Sequence, residues 1–244
     1  MNIVILGATG GIGSCLAENL SNDNNLFIGS RDLNKVNHLV EKINDLSSFN
    51  VSGAQLDASK FDSIKDFLDS ANDYLGSIDC IINCVGSLLL KPAHSTLEEE
   101  LEQVYRTNVF SAFGVIKFGF KFLRNNGGSI ICFSSAASMV GLKNHEAIAS
   151  AKAAISSLVL SASSTYSRYN IRINAIAPGL VETPLTESIV NNKMSLDYSK
   201  SLHGLNRIGI PENFVPMVTS LIDPKSDWIT GQTIAIDGGL SNVK

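Results

Sequence analysis

The sequence predicts an α/β protein: one doubly wound parallel sheet of about seven strands flanked by helices. Three observations carry that reading. Apolar, β-branched runs alternate with amphipathic stretches from end to end. A glycine cluster follows the first such run at once and opens a helical pattern. No Gly/Ser linker, low-complexity tract or internal repeat divides the 244 residues, so 1–244 reads as one domain.

The first element is the apolar run Ile3 to Leu6, which suits a strand buried on both faces. Gly7, Thr9, Gly11, Ile12 and Gly13 follow in a G-x-x-x-G-x-G spacing. A helical pattern near 11–21 then carries Ile12, Leu16, Ala17 and Leu20. A turn without Cβ atoms lets a phosphate approach the backbone. The helix start offers it free N–H groups and partial positive charge. This is the placement expected of a dinucleotide site.

Further strands are expected near 26–30, 51–56, 78–83, 129–134, 171–177 and 233–237, and helices near 32–47, 60–74, 97–124, 146–169, 183–200 and 211–223. In such a sheet, ligands sit beyond the carboxyl ends of the strands. The second strand ends in Ser30-Arg31-Asp32. An acidic side chain at a strand end there favours NAD, whereas a cation accommodates the 2′-phosphate of NADP. Ser30 with Arg31 therefore points to NADP, with NAD as second choice, and Asp32 reads as the N-cap of the next helix. Asp57 and Ala58 follow the third strand, Asn83 to Gly86 the fourth, and Ser134-Ser135 the fifth.

Composition bounds the partners. Net charge is −4, and no basic stretch points to nucleic acid. No uncharged apolar run reaches 18 residues and no export leader precedes the first strand, so a cytoplasmic protein without membrane attachment is expected. Cys15, Cys80, Cys84 and Cys132 are scattered and read as small buried residues rather than metal ligands or disulfides.

These motifs, in this order and along the whole chain, resemble the short-chain dehydrogenase/reductase family, in particular its ketoacyl-carrier-protein reductase-like members. The resemblance implies a Rossmann fold, a nicotinamide dinucleotide cofactor and a small-molecule carbonyl or alcohol substrate. It implies cofactor contacts from the glycine turn, from Asp57 and Ala58 near the adenine, and from Asn83 and Gly86. Lys152 would hold the nicotinamide ribose. In the motif Pro178-Gly179-Leu180-Val181-Glu182-Thr183, Val181 would bond the carboxamide through its backbone and Thr183 through its hydroxyl. Ser135 would hold the substrate oxygen, and Asn108 would kink its helix and hold a relay water. Residues 183–210 would form a lid. Asp57 equally suits a turn or cap.

Three departures stand out. Leu6 replaces a threonine before the first glycine, and Cys84-Val85 replaces Asn-Ala. The third matters most. The family carries a tyrosine thirteen residues after the serine and four before the lysine, and that position here is Ile148. Isoleucine exchanges no proton. Two substitutes are open. His145 lies three residues before Ile148, and imidazole exchanges protons near neutral pH. It equally suits a helix start that Asn144 caps. Ser135 itself is the other, as a polariser. The leading expectation is an NADP-preferring oxidoreductase with altered acid–base equipment. The alternatives are a catalytically inactive NADP-binding sensor or partner subunit, or a structural subunit of a mixed oligomer. Small residues Ala151, Ala154, Ser157 and Ser161 predict close helix packing in a two-fold homodimer or homotetramer.

Overall fold

Ile3 and Ile5 of the first strand, β1 (Asn2–Leu6), face one core and Val4 and Leu6 face the other. The uninterrupted apolar run thus reflects burial on both sides of a sheet. The remaining strands are β2 (Asn25–Ser30), β3 (Val51–Gln55), β4 (Cys80–Asn83), β5 (Gly128–Phe133), β6 (Ile171–Pro178) and β7 (Thr233–Ile236). In the computed structural model, which describes residues 1–243, all pairings are parallel and the order is β3-β2-β1-β4-β5-β6-β7. The chain order reverses between β1 and β4, which makes that crevice the switch point.

Helices α1 (Gly11–Leu20), α2 (Leu33–Asn44) and α9 (Val215–Ile222) cover one face. Helices α3 (Phe61–Leu75), α5 (Ser111–Leu123) and α6 (Glu146–Tyr166) cover the other. Asp32 caps α2 as expected, its Oδ1 accepting from the amides of Asn34 and Lys35. With its following turn, α6 is long and apolar enough to cross a membrane by length and composition. Here Ile155, Val159 and Ala162 seat it on the sheet.

Several boundaries differ from the sequence reading. The helix expected over 97–124 is α4 (Glu98–Tyr105), a π-helical turn Arg106–Phe110, and then α5. The helix expected near 183–200 divides into α7 (Glu187–Val190) and α8 (Lys193–Leu202). Asn144 does not cap α6: its backbone is left-handed, at φ 62°, and His145 occupies the cap position. Ala151 is buried rather than part of an exposed small-residue stripe, whereas Ser157 and Ser161 are exposed. Cys80 and Cys132 are buried as expected, while Cys15 and Cys84 are half-buried, and all four are free.

Candidate active site

Gly7 makes the sharp turn off β1 with φ 77°, and a Cβ there would sit 2.9 Å from the Cys84 carbonyl carbon. Backbone approach alone therefore requires glycine. A Cβ on Gly13 would overlap the Gly7 carbonyl oxygen, so this residue sets how closely α1 meets the turn. Gly10 caps α1 with no side-chain bond. The amides of Gly11, Ile12 and Gly13 have no protein acceptor among the described residues. Thr183 stands directly over Gly11, where a Cβ would meet its Cβ at 2.7 Å. The turn and the segment after β6 thus converge.

A cavity of about 520 Å³ opens beyond the strand ends, lined by Gly86, Ser135, His145, Ile148 and Lys152 together with Ile12 and the Pro178–Val181 stretch. The π-helical turn places Asn108 entirely in the interior behind it. Asn108 Nδ2 donates to Val104 O and to Ser87 Oγ, each at 2.8 Å, and Oδ1 accepts from the Ser87 amide at 3.3 Å. A Cβ on Gly86 would lie 3.4 Å from both Asn108 Oδ1 and Lys152 Nζ, so these two groups flank the same loop.

Lys152 is buried, and its Nζ donates to Phe133 O at 2.8 Å. Burial pulls its ammonium down to about 8, against smaller opposing effects from the Cys132 and Cys84 sulfurs. Ser135 Oγ accepts from the Ala137 amide at 3.1 Å, which fixes the hydroxyl at the end of β5. Its neighbour Ser134 is the link that sequence reasoning missed. Ser134 Oγ donates to Lys152 O at 2.8 Å and meets Ser156 Oγ at 2.9 Å, tying β5 to α6. The paired serines at a strand end were the signal.

Ile148 is 3 % exposed and packs with Val104 and Ala151, against Leu88, Leu89 and Val109. The expected phenol position is thus an apolar wall. His145 sits at the cap of α6 rather than within the helix, and its Nδ1 lies 2.7 Å from Lys143 O. A carbonyl can only accept, so Nδ1 carries the hydrogen. Nε2 then has no protein partner among the described residues.

Ser30, Arg31, Asp57, Ala58 and Asn83 lie along the same sheet edge but outside this cavity. Arg31 is exposed and makes no ion pair among the described residues, since Asp32 is engaged as a cap. Ser30 Oγ meets only Asp32 O, at 3.4 Å. Asp57 accepts from Ser59 and pairs with Lys60 at 3.1 Å, the turn role that was its other reading; the Ser59 hydroxyl holds its carboxyl below the usual range. Ala58 is buried beside it. Asn83 is buried, accepting from the Val85 amide and donating to Ser111 Oγ, and so braces the loop that carries Gly86. Val181 O accepts from Thr186 Oγ1, while its amide makes no bond among the described residues. These groups suit a dinucleotide: unpaired amides at a helix start, a free guanidinium and a buried ammonium.

Residues 7–241 match the family model described as enoyl-(acyl carrier protein) reductase. A tropinone reductase homolog of Arabidopsis thaliana is 31% identical over 98% of this chain and 91% of its own length. A short-chain type dehydrogenase/reductase from Mycobacterium ulcerans superposes with a TM-score of 0.92 at 25% identity, over 98% of this chain and 89% of that one. A gluconate 5-dehydrogenase from Burkholderia cenocepacia J2315, solved with NADP and tartrate, gives 0.93 at 25% identity, over 98% and 94%.

Proposed function

Because this chain belongs to the short-chain dehydrogenase/reductase family, we propose that it is an NADPH-preferring reductase of a small carbonyl compound in which His145 handles the proton. The dinucleotide supplies the hydride. The Gly11–Gly13 amides bind its pyrophosphate, Arg31 its 2′-phosphate, and the Lys152 ammonium its ribose hydroxyls. Ser135 Oγ donates to the substrate oxygen. His145, protonated at both nitrogens, passes the Nε2 proton to that oxygen and returns to the Nδ1–H tautomer that Lys143 O favours.

One observation carries the reading: the His145 ring is held through Nδ1 at 2.7 Å and lines the same cavity as Ser135 and Lys152. A positioned acid of this kind is worth about 10²–10⁴-fold. An inactive NADP-binding subunit is the rival, and the loss of the phenol at Ile148 favours it. NADPH consumption over aldehydes, ketones and acyl thioesters separates the two. The reductase reading expects turnover with at least one class; saturable NADPH binding with no turnover by any class supports the rival. Leu97, Leu101, Phe110 and Phe113 are exposed at the N-cap of α4, on α4, on the π-helical turn and on α5, and they support a homodimer or homotetramer. Light scattering at micromolar protein expects a two-fold or four-fold mass.

A further inference from the structure

We infer that the substrate is a compact, largely apolar ketone, and that analogues carrying an ammonium are rejected. This rests on the reductase reading and specifies what that site accepts. The cavity of about 520 Å³ is within the range of small-molecule sites, but the nicotinamide end must share it. What is left suits a compact molecule.

Its walls set the chemistry. Leu88 and Leu90 come from the loop after β4, Leu142 from the approach to α6, Leu185 from the turn before α7, Ile189 from α7 and Leu202 from α8. Ile148 adds a further apolar surface at the point where the family places a phenol. Among the described residues no Asp or Glu lines the cavity, so an ammonium entering it leaves water with no partner. Lys143 and Lys152 line it instead, so a substrate cation is repelled as well as unpaired. The hydroxyls of the lining, among them Ser87 and Ser135, suit a single carbonyl oxygen.

The test uses the full chain, NADPH, and a matched series: cyclohexanone, 4-methyl- and 4-ethylcyclohexanone, 2-decalone and 4-aminocyclohexanone. Initial rates are one readout. Calorimetric binding of each compound to the NADP⁺-saturated protein is the second, and it needs no turnover. Each added methylene is expected to raise kcat/KM about fourfold until the cavity fills. The amine should bind at least ~100-fold more weakly than the neutral ring of equal size. Leu185→Asp, at a 53 % exposed position, should improve binding of the amine selectively. The amine binding as well as the neutral ketones, or no binding by any neutral ketone, overturns the inference. Neutral ketones that bind best yet are never reduced leave it standing while the reductase reading falls. Turnover of the amine does the reverse.

Discussion

Asn108 holds Ser87 at two points, accepting from its amide at 3.3 Å and donating to its hydroxyl at 2.8 Å. The second Nδ2 hydrogen goes to Val104 O, so the amide group is fully engaged. Ser87 Oγ already accepts a bond, and its own hydrogen has no protein acceptor among the described residues. It lines the cavity with that hydrogen free. Ser87→Ala is therefore expected to lower kcat about tenfold, the worth of one hydrogen bond of roughly 1–1.5 kcal/mol, with NADPH affinity kept. Asn108→Ala should cost more, and the pair should be non-additive, since removing either leaves the other without its partner. Additive losses in steady-state kinetics would contradict the coupling.

In the proposed reading, Arg31 decides cofactor choice. It is exposed, and its neighbour Asp32 is engaged in capping α2. Arg31→Ala should weaken NADPH binding about 10–100-fold, the worth of a charge-assisted bond of roughly 1.5–3 kcal/mol, and leave NADH unchanged. Fluorescence titration with both cofactors measures this. Equal losses for the two, or tighter NADH in the parent protein, would remove the argument for NADP.

Lys152 makes activity and stability depend on pH in opposite directions. Its ammonium is held down to about 8 by burial, and in the proposed reading the charged form is the one that grips the ribose. Loss of the Lys152 charge should thus add a fall in kcat/KM above about 8, which Lys152→Met removes. For folding, a lowered lysine value means the unfolded chain binds more protons between about 8 and the ordinary 10.5. Burying the ammonium costs stability below that window, and the cost fades as pH rises through it. Lys152→Met should therefore raise stability near pH 7, by up to about 3 kcal/mol, and the gain should shrink toward pH 10. Chemical denaturation at the two pH values checks the sign. A gain that grows with pH would be the wrong one.

The sheet was legible because strands buried on both faces must be apolar throughout, and Ile3–Leu6, Ile81–Ile82 and Ile130–Ile131 are. Ser135 and Lys152 were legible through the family resemblance, and both line the cavity. The π-helical turn at Arg106–Phe110 was legible only through that resemblance, which implied a kink at Asn108; Asn108 leaves the α-helical pattern to reach Ser87, twenty-one residues away in sequence. No local preference encodes that reach. The Asn144 cap failed for a related reason: left-handed backbone at φ 62° suits asparagine as well as capping does. The division between α7 and α8 follows from Asn192, whose side chain accepts from the Ser195 amide and starts a new helix. Asparagine at 192 was visible, but nothing in the sequence separated a cap from a polar helical position.

Ile148 and His145 together carry the account of the proton. Ile148→Tyr places a phenol four residues before Lys152, into a packed apolar cluster, at a cost of about 1–3 kcal/mol in stability. In the parent background, the bulk should reduce turnover. In a His145→Ala background, the phenol should restore it, because the missing proton donor is replaced. Tyr198, the other phenol lining the cavity, is 61 % exposed and should tolerate Phe with little loss.

The most direct measurement is single-turnover NADPH oxidation by the parent protein and His145→Ala, with the best neutral ketone at saturation. The account predicts a loss of about 10²–10⁴-fold in the hydride-transfer rate, unchanged NADPH affinity, and recovery in His145→Ala/Ile148→Tyr. A His145→Ala protein that reduces the ketone at the parent rate would contradict it.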